Sequence, residues 1–486
     1  MRILTLIIAL FLTCFTYGQI AFFHLYTNGG DDDIKGITQL EDSSYVITGS
    51  SDSYPGGSGS EAFLLKMDST GVPIWSHHYG GLEMDEGRSV SYLPGVGFYI
   101  AGTTASYGAG AYDFYLVKTD LNGTTEWERS YGKEGWERLY GGALCRDSGM
   151  FLVGETLSNP TNNSDIYMVR TDKNGDTLWT KTMGGLGSDG LEAISAFDDS
   201  TFYVVGHIFV DDSLYAKAYI AKYHEDGTLI WSDTIGAAGN YYLKDVSVVS
   251  TEVFGGGYRN GPGVNGNDVY YFRIAHDGVV LGEITQAIPG DYKIQQVCSY
   301  NDDSKRYSAY SYFTATSQPD GDDLAIARCN YGFTWEVTAL NLYYLQPDVV
   351  NEMVRTSDGG AIAVGNTNSE GIGVHHGWVC KIGPNELYAN WDAPHTQFGL
   401  VVGIDEQAVL DQLSVYPNPT NGTINIQSPV NNQIQLEISN GLGQVLFLDC
   451  FQGNASYDLS QFGTGIYYLK TAIDGVSTVR KIVLKH

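Results

Sequence analysis

Short runs of alternating apolar and polar residues cover most of this chain, and turns rich in glycine separate them. Runs such as YVITG (45–49) and FLLKM (63–67) combine the two-residue period of a strand with residues that favour strands. The composition agrees, since 60 glycines, 35 tyrosines and only 13 prolines among 486 residues are typical of short strands joined by tight turns. The pattern therefore predicts an all-β protein.

One of these runs recurs along the chain with a fixed period. The segment FLLKMDSTGVPIW (63–75) has three close copies, which end at Trp127, Trp179 and Trp231, so successive tryptophans lie 52 residues apart. A fifth copy has Leu281 at the tryptophan position, and a sixth ends at Trp335. A glycine that ends another strand keeps step with this period, at Gly49, Gly102, Gly154, Gly206, Gly257 and Gly365. Each repeat holds about four alternating runs, which is the unit of a β-propeller blade.

The two ends of the repeat region predict the number of blades and the way the ring closes. Strands of the FLLK type begin at seven places, and the last, GWVCKIG (377–383), has no tryptophan strand after it. Near the N-terminus, AFFHLYTNGGDDD (21–33) matches a tryptophan strand with no strand before it. A propeller hides both edges when the N-terminal strand completes the last blade. We therefore predict a seven-bladed β-propeller over residues 19–392, closed by pairing of residues 21–26 with residues 377–382.

Two kinds of connection alternate in the repeat, and they predict two faces. Pieces of the D-x-x-G type are typical of hairpin turns in which glycine takes a positive φ, whereas GGxxxD pieces cross from one blade to the next. The crossover face also carries long polar loops, which are common binding sites on rigid scaffolds. Acidic residues recur at the crossovers, at Asp33, Asp85, Glu137 and Asp189. They would either line an acidic binding patch or cap backbone amides in a repeated turn, and their repetition favours caps.

The segment DSTGVPIW (68–75) resembles the tryptophan-docking repeat of quinoprotein propellers. There the tryptophan wedges between neighbouring blades, and the resemblance implies this packing role for Trp75, Trp127, Trp179, Trp231 and Trp335. The enzymatic part does not carry over, because the quinone dehydrogenases use a vicinal disulfide above the cofactor and this chain has no adjacent cysteines. The repeats are more similar to those of secreted bacterial β-propeller-repeat proteins, whose biochemical activity is mostly undefined. No cofactor is therefore expected.

The N-terminus predicts export. A positive residue precedes a short apolar stretch, and the small residues Thr16 and Gly18 suit cleavage before Gln19, so residues 1–18 are expected to be a signal peptide. A lipoprotein anchor at Cys14 fits less well, because FLTC has Phe and Thr where a lipobox prefers Leu and a smaller residue. No later stretch is long and apolar enough to predict a membrane span.

Charge and motif content narrow the classes of partner and site. Lys and Arg number 27 against 56 Asp and Glu, and the formal charge of −29 repels phosphate backbones, so nucleic acid is not an expected partner. The cysteines form no CxxC pair, which argues against a zinc site and a disulfide framework. No G-x-S-x-G elbow and no H-E-x-x-H motif occur. Accordingly, we predict no catalytic residue and no metal site.

From about residue 411 the 52-residue period ends, and shorter alternating strands follow. Four elements occur in order: YPNP (416–419), the GLGQVL hairpin (441–446), DLS…GTGIYYLK (458–470) and the terminal KIVLK (481–485). Together they resemble the type A C-terminal sorting domain of the type IX secretion system of Bacteroidota. The residues that carry the resemblance are Tyr416, Pro417, Asn418, Pro419, Gly443, Gly465, Tyr467 and Lys481.

This resemblance implies a fold, a partner and a destination. The fold would be a small immunoglobulin-like β-sandwich over residues 411–486, joined to the propeller by a linker at 393–410. The partner would be the type IX secretion machinery, which carries cargo across the outer membrane for release or for attachment to the cell surface. An ordinary terminal immunoglobulin-like module is the alternative.

The function of the propeller itself is less constrained by the sequence. Because no catalytic constellation appears, we expect an exported binding or adhesion protein that presents its loop face to a glycan or protein ligand. The alternative is a secreted hydrolase or lyase that acts on polysaccharide in the central funnel. A structural component of the cell surface layer is a third possibility.

Overall fold

The structure, a computed structural model, describes most of the chain between residues 22 and 485. The described residues are 22–27, 30–52, 59–158, 163–210, 215–236, 238–261, 266–286, 294, 296–302, 306–318, 321–329, 340–342, 348–367, 375–382, 396–398, 413–427, 433–441, 444–473 and 476–485. They form strands and turns with no helix among them, which confirms the all-β prediction. The chain divides into two compact units, Met1–Leu400 and Val401–His486. The predicted signal peptide and most of the predicted linker lie outside the described residues.

Six sheets of the repeat region each contain four antiparallel strands in chain order, as far as the described residues go. The first strand of the chain, β1 (Phe22–Tyr26), is not among them. Sheet 1 contains β2 (Asp32–Gln39), β3 (Tyr45–Ser51), β4 (Glu61–Met67) and β5 (Pro73–Tyr79). Sheet 2 contains β6 (Asp85–Leu93), β7 (Gly97–Thr104), β8 (Asp113–Asp120) and β9 (Thr125–Tyr131). Sheet 3 contains β10 (Glu137–Leu144), β11 (Met150–Thr156), β12 (Asp165–Thr171) and β13 (Thr177–Met183). Sheet 4 contains β14 (Gly190–Ala196), β15 (Thr201–Ile208), β16 (Lys217–His224) and β17 (Leu229–Ile235). Sheet 5 contains β18 (Asn240–Val248), β19 (Glu252–Asn260), β20 (Asp268–Ala275) and β21 (Val280–Gln286). Sheet 6 contains β22 (Val297–Asp302), β23 (Arg306–Gln318), β24 (Gly321–Cys329) and β25 (Leu340–Leu342).

A seventh sheet joins the two ends of the repeat region. It contains β26 (Asp348–Arg355), β27 (Ala361–Thr367), β28 (His376–Ile382), β1 and β29 (Thr396–Phe398), in that order. Strand β1 pairs antiparallel with β28, with Phe22 opposite Lys381 and Tyr26 opposite Gly377. The predicted pairing of the N-terminal strand with the strand after residue 376 is therefore confirmed.

Part of the stretch that was expected to be a linker belongs to this sheet. Strand β29 pairs in parallel with β1, with His24 opposite Thr396 and Tyr26 opposite Phe398. Three paired residues are too short for a two-residue alternation to be visible in the sequence. The segment after β28 therefore adds a fifth strand before the chain leaves the first unit.

The middle strands of the sheets are buried, whereas the outermost strands are exposed. Every residue of β7 is buried, while most residues of β13 are exposed. A middle strand is covered on both faces, so it favours a nearly continuous apolar run such as FLVG in β11. An outermost strand faces solvent and tolerates polar residues.

The first strands of successive sheets contact each other around a closed cycle. Strand β2 contacts β6, β6 contacts β10, β10 contacts β14, and β14 contacts β18. The cycle continues from β18 through β22 to β26, and β26 contacts β2. The sheets therefore surround a common centre, which is a propeller-like arrangement.

Tyrosines at the ends of β1, β5 and β9 tie three of the sheets to the next one. The hydroxyls of Tyr26, Tyr79 and Tyr131 donate to the backbone oxygens of Gly71, Gly123 and Gly175, at distances of 2.5, 2.7 and 2.7 Å. These glycines have φ values of +84°, +82° and +80°, so the predicted D-x-x-G hairpin turns are confirmed. Because Tyr26 lies in β1, this bond ties sheet 7 to sheet 1.

The repeated tryptophans lie against the same turns. A Cβ added at Gly123, Gly175, Gly227 or Gly278 would meet a ring carbon of Trp75, Trp127, Trp179 or Trp231, respectively, at 2.8 to 3.2 Å. The indole nitrogens of Trp179 and Trp231 also donate to Glu225 and His276 backbone oxygens in the following sheet, both at 3.1 Å. Each of these four side chains therefore lies between its own sheet and the next. Trp335 lies outside the described residues.

The second unit contains two sheets that share one apolar core. A three-stranded sheet contains β30 (Ser414–Tyr416), β31 (Thr423–Gln427) and β34 (Ala455–Asp458). A four-stranded sheet has the order β33 (Val445–Gln452), β32 (Gln433–Asn440), β35 (Gly465–Ile473) and β36 (Val476–Leu484). Ile424 and Ile426 of the first sheet belong to the same buried cluster as Ile438 and Leu469 of the second. The unit is thus held by the apolar faces of two packed sheets.

The asparagine between the two prolines fastens the start of this unit to its last strand. The Asn418 amide nitrogen donates to the Lys481 backbone oxygen at 2.7 Å, and its amide oxygen accepts from the Val483 backbone N–H at 2.9 Å. Strand β30 ends immediately before Pro417, whose nitrogen has no proton to donate to a ladder. The YPNP motif therefore ends one strand and connects the chain to β36.

The other predicted residues of the tail are distributed over the same unit. Tyr416 is half exposed, while Tyr467 is buried and its hydroxyl donates to the Gly463 backbone oxygen at 2.6 Å. Gly465 begins β35. Gly443 lies outside the described residues.

Candidate functional site

A β-bulge at the same position in six of the first strands directs a side chain toward the centre of the ring. In β2, for instance, pairing with β3 passes from Ile34 directly to Gly36 and skips Lys35. The skipped residues in β2, β6, β10, β14, β18 and β26 are Lys35, Arg88, Tyr140, Glu192, Lys244 and Asn351. A β-bulge of this kind re-aims the side chain of the extra residue. We call these residues, with Gln296 just before β22, the bulge ring.

The bulge ring lines a cavity of about 190 Å³ at the centre of the sheets. All seven members of the ring contribute to its wall, together with Asp245 and Glu352, which follow Lys244 and Asn351. Asp245 and Glu352 also line a second cavity, of about 460 Å³, whose other residues include Cys298 and Arg355. Both carboxyl groups therefore lie where the two cavities meet.

Two of the three cations of the ring are paired with carboxylates of neighbouring sheets. The Lys35 ammonium donates to Glu86, and the Lys244 ammonium donates to Glu192 at 2.6 Å. Desolvation opposes ionisation of Glu86, but Lys35 and Arg88 lower the pKa of this carboxyl. The third cation differs, since the Arg88 guanidinium carbon lies 5.4 Å from the centre of the Tyr140 ring.

Asp245 and Glu352 are carboxyl groups whose protonated form is favoured. Asp245 accepts from the backbone N–H groups of Val246 and Val297, at 2.8 and 2.7 Å, and Glu352 accepts from Ile37 N–H at 2.6 Å. Burial nevertheless raises the pKa of Asp245 to about 7 and that of Glu352 to about 8. The nearby charge of Asp245 adds to the rise at Glu352. Near neutral pH these two groups can donate as well as accept hydrogen bonds.

The acidic residues predicted at the crossovers are buried turn caps in three of four positions. Asp85, Glu137 and Asp189 have no exposed surface. Asp85 accepts from Gly81 N–H at 2.7 Å, Glu137 from Lys133 N–H at 2.9 Å, and Asp189 from Gly185 N–H at 2.8 Å. These three do not form an exposed acidic patch, because each carboxylate is used by the backbone of its own turn.

The first repeat uses a different aspartate from the one predicted. The residue in register with Asp85 and Glu137 is Asp32, which lies opposite Ser51 as Asp85 lies opposite Thr104. Asp32 is fully buried and accepts from the Ser51 hydroxyl at 2.5 Å. Asp33 faces the other side, and its side chain is 28% exposed. Three consecutive aspartates at 31–33 hid this one-residue shift from sequence reasoning.

The crossover face exposes apolar side chains where the sequence suggested acidic ones. Leu82 is 70% exposed, Leu186 is 86% exposed, and Met84 and Trp136 are each 48% exposed. The Trp136 ring lies 4.8 Å from the ring of Tyr112, whose hydroxyl is 3.8 Å from the Met84 sulfur. We call Leu82, Met84, Trp136 and Leu186 the crossover arc. All four lie in the connections that lead into sheets 2, 3 and 4.

The sequence did carry a signal for the bulge ring, although it was not recognised. The recurrent glycines face the bulges across the sheet, and a Cβ at Gly49 or Gly102 would lie 1.8 or 1.7 Å from the backbone oxygen of Asp33 or Glu86. Only glycine lets the backbone approach so closely. The recurrent glycine, which is spaced by 51 to 53 residues from Gly49 to Gly257, therefore marks a bulge in the strand that precedes it.

Comparison with known proteins identifies the second unit. Its residues 414–485 match the family model described as the secretion system C-terminal sorting domain. This segment is a type IX secretion sorting domain. The resemblance inferred from YPNP and the three later elements is therefore confirmed. A sorting domain of this family marks a protein for secretion or for attachment to the cell surface.

Matches to the remainder of the chain are more distant. The regulatory protein FlaEY of Caulobacter vibrioides is 25% identical over 201 residues, which are 36% of this chain and 21% of that protein, so the chain spans about a fifth of its length. The β-propeller domain of the Trilobed protease from Pyrococcus furiosus is 10% identical, with 77% of this chain and 98% of that one covered and a TM-score of 0.43. The extracellular domain of a putative one-component system from B. thetaiotaomicron is also 10% identical, with 96% and 59% covered and a TM-score of 0.40.

In the part of the chain that the structure describes, no helix is long and apolar enough to cross a membrane. Within the same residues, no group of three or more His, Cys, Asp or Glu side chains is arranged to hold a metal ion.

Proposed function

We propose that this protein is an exported binding protein in which a seven-bladed β-propeller is the cargo of the sorting domain. The closed cycle of contacts from β2 to β26 and back supports the ring of seven, and β1 would supply the strand that closes it. The sorting domain supports an extracellular destination. A Sec signal at residues 1–18 would provide the first export step, across the inner membrane. The cargo is then released or attached at the cell surface.

The observation that carries the binding role is the crossover arc. Soluble proteins rarely display large apolar side chains together on one face unless that face meets a partner. Tryptophan, methionine and tyrosine are enriched at binding surfaces, and tryptophan and tyrosine bury much area with few rotatable bonds. The sheets beneath are rigid, so the arc is presented with little loss of entropy on binding. Its ligand would be a glycan or a protein outside the cell.

A matched pair of triple variants tests this role. Leu82→Ser, Trp136→Ser and Leu186→Ser together should abolish adhesion of purified protein to glycan-coated and cell-derived surfaces. The control carries Val72→Ser, Leu121→Ser and Val279→Ser on the hairpin turns, where the side chains are 40 to 56% exposed. Both variants should unfold at the same temperature as the parent. Equal adhesion by the two variants would refute the role of the arc.

Export is tested separately by removal of residues 413–486. The truncated chain should fold, because the core clusters of the first unit contain no residue of the sorting domain. It should accumulate in the periplasm, whereas the full chain reaches the medium or the cell surface. Normal amounts of truncated protein outside the cell would contradict the assignment of the export signal.

A second candidate function rests on Asp245 and Glu352. A carboxyl group that stays protonated near neutral pH is suited to general acid catalysis, and polysaccharide hydrolysis combines such an acid with a second carboxyl group that acts in its ionised form as base or nucleophile. A polysaccharide hydrolase or lyase with its site in the central channel is therefore the alternative. It predicts release of reducing ends from surface polysaccharides by the full chain and none by the Asp245→Asn, Glu352→Gln double variant.

A further inference from the structure

We infer that the cavity inside the bulge ring binds a small oxyanion, and that Arg88 is the residue that holds it. The inference goes beyond the proposed function, because it concerns the centre of the ring and needs neither the crossover arc nor catalysis.

The charge pattern of the ring singles out Arg88. Lys35 and Lys244 each donate to a carboxylate of a neighbouring sheet. Among the described residues, Arg88 makes neither a hydrogen bond nor an ion pair with a carboxylate, and its guanidinium lies beside the face of Tyr140. A guanidinium has five N–H donors in a planar fork, and Tyr140 satisfies none of them in the plane of that fork. The donors of Arg88 are therefore available to a molecule in the cavity.

The carboxyl groups that share the cavity have other partners, and Glu192 accepts from the Lys244 ammonium at 2.6 Å. Asp245 and Glu352 use oxygens to accept backbone N–H groups of Val246, Val297 and Ile37. Their protonated forms are favoured by burial, which raises both pKa values to near or above neutrality. Arg88 lowers the pKa of Glu352, but burial outweighs this effect. The cavity wall thus presents the Arg88 guanidinium beside a carboxylate that Lys244 neutralises and beside two carboxyl groups whose protonation burial favours, so an anionic guest is favoured.

The size and lining of the cavity limit the class of ligand. Its volume of about 190 Å³ is below the 300–1,000 Å³ of pockets for drug-sized molecules. Ser89, Gln296 and Asn351 add neutral hydrogen-bonding groups to the wall. The fork of an arginine matches the paired oxygens of a carboxylate, sulfate or phosphate. The ligand is therefore a small oxyanion, either an organic acid of about monosaccharide size or an inorganic anion.

Calorimetric titration of the full mature chain tests the inference and separates these two sources. The probes are glucuronate, sodium sulfate and inorganic phosphate, each titrated at constant ionic strength. We expect one site per chain for at least one probe. Arg88→Gln should weaken binding roughly tenfold or more, because a hydrogen-bonded pair with a charged partner is lost. Arg88→Lys, which keeps the charge without the fork, should fall between the two.

The control is Arg129→Gln, which removes an arginine that lies over Trp127 on the outermost strand β9 of sheet 2. This variant should bind the probe as the parent does, and near-ultraviolet circular dichroism should show native packing in all three variants. The inference is overturned if no probe binds at millimolar concentration. Equal binding by the parent and the folded Arg88→Gln variant overturns it as well. So does equal weakening by Arg129→Gln, which would indicate nonspecific attraction.

Discussion

Removal of the N-terminal strand should destabilise the whole first unit, although it takes away few residues. The perturbation is a chain that begins at Asn28 instead of at Gln19, the predicted mature N-terminus, so that it lacks β1. Phe22, Leu25 and Tyr26 are 8%, 6% and 0% exposed in the intact protein. Burial of one such side chain contributes about 1.5–3 kcal/mol, so the three together contribute roughly 5–9 kcal/mol. That sum is comparable with the entire stability of a typical domain, which is about 5–15 kcal/mol.

The lost contacts lie on both sides of the closing strand. On one side β28 would lose its antiparallel partner and expose an open edge, which promotes aggregation. On the other side the bond from the Tyr26 hydroxyl to Gly71 would disappear, and with it the contact between sheet 7 and the first hairpin turn. We therefore expect the truncated chain to aggregate or to lose cooperative unfolding.

Urea unfolding followed by tryptophan fluorescence and circular dichroism measures this effect. A milder variant, Tyr26→Phe, keeps the ring and removes one hydroxyl, so it should lower stability by about 1–3 kcal/mol with cooperativity intact. Removal of residues 394–401, which takes away β29, should have a smaller effect than removal of β1, because β29 pairs with it through three residues. The reasoning fails if the truncated chain unfolds with the same midpoint and slope as the parent.

Three further predictions concern two buried carboxyl groups, a recurrent glycine and the sorting domain. The folded pKa values of Asp245 and Glu352, about 7 and 8, lie above the ordinary values of 3.8 and 4.5. The folded state therefore holds protons that the unfolded chain releases, and stability should fall as pH rises from about 4 to about 8 and then level off. Urea midpoints across this range should show the decline in the parent and a flatter profile in the Asp245→Asn, Glu352→Gln variant. Gly102→Ala places a Cβ 1.7 Å from the Glu86 backbone oxygen, so it should lower the free energy of unfolding by several kcal/mol, measured by thermal unfolding. The control, Gly95→Ala, is at a glycine with nothing within 4 Å of its Cβ position and should show only the backbone strain of its positive φ. Asn418→Ala removes both hydrogen bonds to β36 and should lower the melting temperature and the export of the full chain. Asn418→Asp, which keeps the acceptor for Val483 N–H, should have a smaller effect. Unchanged export of the alanine variant would contradict a role of these two bonds in export.

The fold could be predicted from the sequence because the copies of the repeat show the same pattern of strands and turns several times. The pairing of β1 with β28 followed from two incomplete copies, one at each end. The D-x-x-G turns followed from the preference of glycine for positive φ. Strand β29 was missed because three residues cannot display a period.

The candidate site was harder to predict, since a bulge interrupts the alternation that reveals a strand. Lys35 and Arg88 appear in the sequence as ordinary polar residues within a strand, so their common direction toward the centre was not visible. The acidic residues at the crossovers were recognised in the sequence. Residue type alone does not show whether a carboxylate is buried by its own turn or faces solvent. Exposure of Leu82 and Leu186 was equally hidden, because apolar residues in a short connection are usually covered.

The clasp between the two ends of the repeat region has a consequence for when this protein can fold. Strand β1 is the first described segment to leave the ribosome, yet its partner in β28 lies more than 350 residues later. The entropic cost of closing a loop grows only slowly with its length, so the large separation has little effect on stability. Contacts so distant in sequence nevertheless form slowly. Until β28 arrives, the apolar side chains of β1 have no sheet to cover them, and the ring stays open. A chain that cannot finish its ring early remains in a form that a translocon for unfolded chains can accept. In the export route proposed above, the last step of folding would therefore be left for the far side of the inner membrane.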